Sequence, residues 1–359
     1  MNKDAEFLKN SLLFQMSLGS KELYHSNVWA WLIDKNSKFL KIFFPAISSD
    51  NYVIEKTERE CHNRDVIIRL KEKTDGRKYY LMIENKIKTL PDRRQLEKYT
   101  EDLDNATLLG AVYTGITNPL GEVKFKYGNG EISWNFIGYD TIAKRLGSLL
   151  STDDLHYDQI LEYCKILESI NSLLKNAVDK TAGKLNYNFG ENDLFDLRIN
   201  DLAIKLKAAD FMAYCKEKGI PKPENYESDD FRLWTEQSFH NGNATIDFRI
   251  TNWKDYETPF VSLGIQIQGN QYRFIAERDK SFTCEQVFAE FGSLWFEKCK
   301  KSRSMRGEMC KYETKNYSFV YVYETIDETN NSYDTLLEKI RSDLDTANSI
   351  LKRHRSVSI

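Results

Sequence analysis

The first half of the chain alternates between a helical and a strand-like spacing of its apolar residues. Over Lys21–Lys35, apolar side chains recur at a broadly helical period and stop at a polar run, which predicts a helix with one buried face. Three strand-like runs follow, at residues 52–61, 65–70 and 79–86. A polar turn containing Asp75-Gly76 joins the second and third runs, so we expect an antiparallel meander.

The elements that follow predict a strand–helix–strand crossover. Pro91-Asp92 opens a helix, and residues 107–114 form a β-rich run after it. Residues 132–137 predict one more strand, and residues 153–180 a long helix. This order is typical of an α/β sandwich, so the predicted fold class is α/β with a mixed sheet.

The second half of the chain has a different pattern. Residues 181–192 are rich in Gly, Asn and Lys and form the predicted linker. We therefore expect two domains, residues 1–180 and residues 181–359. In the second, alternation predicts antiparallel strands at 244–250, 261–267 and 272–276, with flanking helices at 193–218, 284–299 and 332–352. This pattern predicts a C-terminal α+β lobe with an antiparallel sheet.

Composition excludes some classes of protein. With 51 Lys and Arg against 54 Asp and Glu, the net charge is −3, so an anionic partner would have to be bound by local patches. The six cysteines form no CxxC pair and the five histidines never fall at HxxxH spacing, which argues against a disulfide scaffold and a zinc site. No stretch of about 18 apolar residues occurs, and we expect a cytoplasmic protein without membrane contact.

Charged residues fall where two predicted strands meet. Glu84 and Lys86 are two residues apart, so on a strand they share one face. The apolar run before them predicts an interior strand, where charges are unfavourable unless they are paired or bind a metal. Asp65 begins the neighbouring strand and could meet Glu84 across the hairpin. Such carboxylates suit Mg²⁺, with Mn²⁺ as a substitute, and the cation could activate water while the lysine positions it.

This set resembles the PD-(D/E)xK nuclease superfamily, which has a restriction-endonuclease-like fold. The motif of that superfamily is an Asp followed, after a variable gap, by Glu-x-Lys, and here it stands as Asp65 and Glu84-Asn85-Lys86. The helix with Glu22 resembles the acidic first-helix motif of one branch, and Gln95-Leu96-Glu97-Lys98-Tyr99 is similar to the Gln-Leu-x-x-Tyr helix of that branch. The resemblance covers residues 21–138. It departs from the motif at Arg64, which stands where a Pro would precede the Asp.

The resemblance implies a site and an activity. It implies that Asp65, Glu84 and the Asn85 carbonyl hold the metal, that Glu22 assists this metal or a second one, and that Lys86 faces the water. It also places Gln95 near the site. The expected activity is an Mg²⁺-dependent phosphodiesterase that acts on nucleic acid, with DNA favoured over RNA.

Simpler interpretations stay open for the same residues. Glu84 and Lys86 could be a solvated ion pair, and Glu22 could only favour its helix N-terminus. Gln95 and Tyr99, which share a helix face, could simply pack against the sheet. The alternative function is a catalytically silent module of the same fold that binds nucleic acid or a protein partner.

A basic run at residues 298–315 is the second candidate site. Its cations lie beside aromatic residues, a combination that could bind a phosphate backbone and stack bases. The alternative is a solvated loop. The residues predicted to contact nucleic acid are Lys300, Lys301, Arg303 and Arg306.

Overall fold

The chain folds into two compact units. A computed structural model describes residues 2–357 except 19–20, 62, 88–90, 92, 102–106, 119, 129, 191, 229, 241, 253–259, 299–309 and 314–315. The first unit comprises residues 1–180 with 190–206, and the second comprises 181–189 with 207–359. Residues 190–206, which the sequence analysis assigned to the C-terminal lobe, therefore lie with the first unit.

The first unit is built on a mixed six-stranded sheet. Its strands are β1 (Tyr52–Cys61), β2 (Arg64–Glu72), β3 (Lys78–Glu84), β4 (Thr107–Gly115), β5 (Val123–Tyr127) and β6 (Gly130–Gly138). They lie in the order β1-β2-β3-β4-β6-β5. Strands β1 to β3 pair antiparallel, whereas β3 pairs parallel with β4 and β4 pairs parallel with β6. The predicted meander and the crossover to a parallel strand are confirmed.

The first unit also contains helices. They are α1 (Lys3–Asn10), α2 (Leu12–Ser17), α3 (Lys21–Lys35), α4 (Arg93–Glu101), α5 (Tyr139–Leu149), α6 (Tyr157–Asp179) and α7 (Asn192–Asp196), with a 3-10 helix at Ser37–Ile42. Of these, α3, α4 and α5 contact the sheet. Helix α8 (Asn200–Glu217) begins in the first unit and continues in the second. Helix α4 is the crossover between β3 and β4. Its Leu96 and Tyr99 pack on the face of the sheet that carries Ile67 of β2 and Met82 of β3.

The packing of α4 identifies the face of the sheet from which the charged side chains at the strand ends project. Side chains alternate along a strand, so Asp65 shares a face with Ile67, and Glu84 shares a face with Met82. Both carboxylates therefore lie on the α4 side of the sheet. Because β2 and β3 are interior strands with both faces covered, the carboxylates leave the backbone inside the fold.

The second unit contains an antiparallel six-stranded sheet. Its strands are β7 (Arg232–His240), β8 (Asn243–Thr251), β9 (Val261–Gln268), β10 (Gln271–Asp279), β11 (Cys310–Glu313) and β12 (Tyr317–Thr325). They lie in the order β11-β12-β10-β9-β8-β7. Helices α9 (Cys284–Phe291) and α10 (Tyr333–Val357) pack against it, and short 3-10 helices occur at Pro223–Asn225 and Phe296–Lys298. The predicted antiparallel lobe is confirmed.

Several predicted bounds differ from the structure. Strand β3 ends at Glu84, so Lys86 lies beyond the strand. The predicted helix 193–218 is two helices, interrupted where Arg198 takes a positive φ of 54°. The predicted helix 284–299 ends as an α-helix at Phe291. The sequence analysis missed α1, α2, α5, β5, β7, β11 and β12. Among the described residues, no helix combines the length and hydropathy needed to cross a membrane.

Candidate active site

The pairing of β2 with β3 brings the two predicted carboxylates together. Val66 pairs with Ile83, and continuing this register by one residue places Asp65 opposite Glu84. Directly opposed residues on antiparallel strands have Cβ atoms about 4.5–5.5 Å apart. A direct contact ties the two strand ends, because the Asn85 backbone N–H donates to Asp65 Oδ2 at 2.6 Å. Asp65 and Glu84 therefore form one cluster, here called the carboxylate cluster.

Glu84 is the most buried member of this cluster. Its side chain is 3% exposed, and its Oε1 lies 2.8 Å from Lys86 Nζ. Its Oε2 is buried without a hydrogen-bond partner of good geometry, although the Asp65 backbone N–H approaches the carboxylate and acts to lower its pKa. Burial raises the pKa of Glu84 to about 8, with a further contribution from the Asp65 charge, while Lys86 opposes the rise. A buried carboxylate oxygen without a donor is unfavourable, so Glu84 is set up to receive a positively charged ligand.

Asp65 and Lys86 complete the charge balance. Burial raises the pKa of Asp65 to about 6, although the Asn85 N–H and the Lys86 charge oppose the rise. Burial acts to lower the pKa of Lys86, but the charge and hydrogen bond of Glu84 outweigh it and raise this pKa. Lys86 thus stays protonated. It reaches Glu84 from the segment after the strand and not, as the sequence pattern suggested, from the same strand face.

Asn85, the middle residue of Glu-x-Lys, is fully buried and anchored by three other segments. Its Nδ2 donates to the Glu22 carbonyl at 2.7 Å and to Ser26 Oγ at 3.2 Å, both on α3. Its Oδ1 accepts from Thr114 of β4 at 3.2 Å and from the Tyr139 hydroxyl of α5. These bonds fix the backbone between Glu84 and Lys86.

Glu22 joins the cluster from the first turn of α3. Its negative charge contributes to the raised pKa of Asp65 and of Lys86, so its carboxylate lies within electrostatic range of both. Its backbone carbonyl accepts from Asn85, which places the start of α3 against the end of β3. The structure thus brings together Glu22, Asp65, Glu84, Asn85 and Lys86.

Gln95 reaches the cluster through Tyr99. Its Nε2 donates to the Tyr99 hydroxyl oxygen at 2.6 Å. Burial raises the pKa of Tyr99, and the next cause is the charge of Glu84, so the phenol faces the cluster. Arg64 holds this helix turn, since its Nη2 donates to the Tyr99 carbonyl at 2.9 Å and its guanidinium lies 5.6 Å from the ring centre.

Sequence reasoning gave no site role to several residues that build this arrangement. A contact between Tyr99 and Gln95 could have been predicted, because the two residues are four apart and share one helix face. Arg64 was noticed only as the absence of a proline. The remaining three carry no local signal, because they become neighbours of Asn85 only in the folded unit: Ser26, Thr114 and Tyr139.

Two histidines, His25 and His62, lie near the motif residues in the sequence. His25 is buried, and its Nδ1 lies 2.7 Å from the Tyr163 hydroxyl in the core, which is a structural role. His62 lies outside the described residues. So do the four residues predicted to contact nucleic acid, Lys300, Lys301, Arg303 and Arg306.

The donor set fits a hard cation that keeps most of its water. Among the described residues, no group of three or more His, Cys, Asp or Glu side chains is placed to hold a metal ion. Two carboxylates and a backbone carbonyl nevertheless match the ligands of Mg²⁺, which needs few protein ligands. The unsatisfied Glu84 Oε2 supplies the observation that such an ion would explain.

A mixed sheet with two carboxylates and a lysine at the ends of its interior strands defines a restriction-endonuclease-like α/β unit. Residues 11–170 match the family model described as the PD-(D/E)XK nuclease superfamily. This segment, which is less than half of the chain, is similar to that superfamily, whose nucleases generally use divalent metal ions. The matched segment contains Glu22, Asp65, Glu84, Lys86 and Gln95. No curated protein and no solved structure matched the chain.

Proposed function

We propose that the first unit is an Mg²⁺-dependent nuclease that hydrolyses phosphodiester bonds, with DNA as the expected substrate. The observation that carries this proposal is the state of Glu84, which is buried beside a second carboxylate and has one oxygen without a hydrogen-bond partner. The single ammonium of Lys86 cannot balance two neighbouring carboxylates, so a negative charge is left over that is unfavourable unless a further cation offsets it. The superfamily of residues 11–170 supports the same reaction.

Each residue has a distinct role in this proposal. Asp65, Glu84 and the Asn85 carbonyl hold the cation, and Glu22 adds negative charge at its side. When bound, Mg²⁺ lowers the pKa of a coordinated water and offsets charge on the phosphate. Lys86 positions the attacking water and stabilises the developing negative charge, since its ammonium is held 2.8 Å from Glu84 Oε1. Gln95 and Tyr99 contribute polar groups at the α4 side.

The test is a cleavage assay on the full chain. Plasmid DNA and labelled DNA and RNA oligonucleotides are incubated with Mg²⁺, with Mn²⁺ or with EDTA. We expect cleavage with either metal, none with EDTA, and none for Asp65→Ala or Glu84→Ala. A wild type that binds nucleic acid and cleaves no substrate with either metal would instead identify the alternative, a catalytically silent binding module.

A further inference from the structure

A pocket of about 390 Å³ opens between α3 and the start of α6 in the first unit, apart from the carboxylate cluster. Helix α3 contributes Tyr24, Asn27 and Trp31, which lie three, four and seven residues apart and so share one face. The other wall carries His156 and Tyr163. This cavity is called here the α3–α6 pocket.

Two aromatic pairs form the walls of the α3–α6 pocket. The ring centres of Trp31 and His156 are 5.7 Å apart, and those of Tyr24 and Tyr163 are 6.2 Å apart. Each pair joins one ring of α3 to one ring of the α6 side. Flat, delocalised rings bind other flat rings by stacking or edge-to-face contact. The walls therefore favour a planar ligand.

Polar groups are placed at the rim of these aromatic walls. Arg59 of β1 is exposed, and its Nη1 donates to Asn27 Oδ1 at 3.1 Å, which orients the guanidinium. The exposed amide of Gln159 also lines the pocket. A nucleobase has a flat face for the rings, polar edges for the amides and a phosphate for the arginine. The rest of the lining is apolar and includes Leu13, Val28 and Ile160, so the flat face of the base would make most of the contact and its polar edges would reach only the rim.

The pocket is close to the carboxylate cluster along two elements. Ser26 of α3 contacts Asn85 at 3.2 Å, and the next residue, Asn27, lines the pocket. On the sheet, Arg59 pairs with Val66, the residue after Asp65, so Arg59 and Asp65 lie close together along the strands but project from opposite faces. A strand that reaches both the carboxylate cluster and the pocket therefore has to pass around the ends of β1 and β2.

We propose that the α3–α6 pocket holds one unstacked nucleobase of the substrate strand, with Arg59 bound to an adjacent phosphate. This inference rests on the proposed function and specifies its substrate. A base inside a duplex is stacked on both sides, so the pocket selects strands that offer an unpaired base, such as single strands, frayed ends and flaps.

The test measures binding without cleavage. A short single-stranded DNA carrying 2-aminopurine at one position at a time is titrated with the full chain in EDTA, and fluorescence quenching reports stacking of that base. We expect quenching to peak at one position and affinity to exceed that for the matching duplex. Trp31→Leu and Arg59→Ala should each weaken binding by roughly tenfold, the range measured for losing one stacked base or one phosphate contact.

Matched controls separate the pocket from general surface effects. Arg77 is 74% exposed and Phe195 is 66% exposed, both in the first unit, so Arg77→Ala and Phe195→Leu should bind as the wild type does. Arg59 is exposed, so the Arg59→Ala variant keeps the test valid even if Trp31→Leu is unstable.

Three outcomes would overturn the proposal. They are equal binding by all variants, quenching spread evenly over the strand, and a wild-type dimer in sedimentation that Trp31→Leu dissociates without changing DNA binding. The last result would assign the pocket to a second protein chain.

Cleavage is measured separately with Mg²⁺. If the wild type quenches 2-aminopurine fluorescence at one position but does not cleave, the pocket proposal stands and the nuclease proposal fails. If it cleaves without position-specific quenching, the nuclease proposal stands and the pocket proposal fails.

Discussion

Replacing Asp65 with Asn should make the metal-free protein more stable at alkaline pH. The substitution removes a negative charge from beside Glu84 and keeps an oxygen that can accept the Asn85 N–H. In the wild type, burial raises the pKa of Asp65 from 3.8 to about 6. A carboxyl with a raised pKa binds more protons when folded than when unfolded, so its ionisation opposes folding as pH rises through this window.

The size of the effect follows from that difference in pKa. It corresponds to about 3 kcal/mol at full ionisation, and we expect about 1–3 kcal/mol because solvent reaches part of Asp65. The gain in the free energy of unfolding should be complete at pH 8, about half as large at pH 5 and nearly absent below pH 4. For a unit of this size, each kcal/mol raises the midpoint by roughly 2–4 °C.

Calorimetric unfolding in EDTA at pH 5 and pH 8 measures this gain. The exposed Asp153 of the same unit provides the control, and Asp153→Asn should leave the midpoint unchanged at both pH values. Mg²⁺ should then raise the midpoint of the wild type at pH 8 and not that of Asp65→Asn. An Asp65→Asn variant that is less stable than the wild type at pH 8 would refute the argument that Asp65 is an unfavourable buried charge.

Three further outcomes are expected. Lys86→Ala should keep or tighten Mg²⁺ binding in calorimetry while plasmid nicking falls by about 10²-fold or more, and nicking at the wild-type rate would remove Lys86 from the mechanism. Arg64→Ala should lower the free energy of unfolding in urea by about 1–3 kcal/mol, because the Tyr99 carbonyl loses a charged donor; an unchanged midpoint would contradict this. Neutralising Lys300, Lys301 and Arg303 should weaken DNA binding and make its affinity less dependent on salt concentration, which binding measured over a salt series would show.

Elements with a complete local signal could be predicted from the sequence. The bounds of α3 and β1 agree with the structure residue for residue, since α3 ends at a polar run and β1 lies between turns. Helix α5 was missed although Tyr139, Ile142 and Leu146 lie at helical spacing and are buried. Strand β5 alternates buried Val123 and Phe125 with exposed lysines, but it is only five residues long.

Other contacts in the candidate site could not be predicted from the sequence, because they form only in the folded unit. Spacing alone predicted that Glu84 and Lys86 would converge, and they do, yet the strand ends at Glu84 because the Asn85 N–H bonds to the Asp65 side chain. The partners of the Asn85 amide lie up to 63 residues away in the chain. No periodicity in the sequence encodes such pairings, because they depend on how α3, β4 and α5 close around the end of β3.

The anchoring of Asn85 has a consequence for the order of events in folding. Its amide joins α3, β4 and α5 at the point where the two carboxylates meet, so the cluster cannot reach its geometry while any of these three segments is unfolded. Closing such long loops is slow compared with forming the β2–β3 hairpin. Catalytic competence should therefore be among the last properties to return on refolding, after the sheet has formed, and a nascent chain that exposes Asp65 and Glu84 has no assembled site with which to damage nucleic acid.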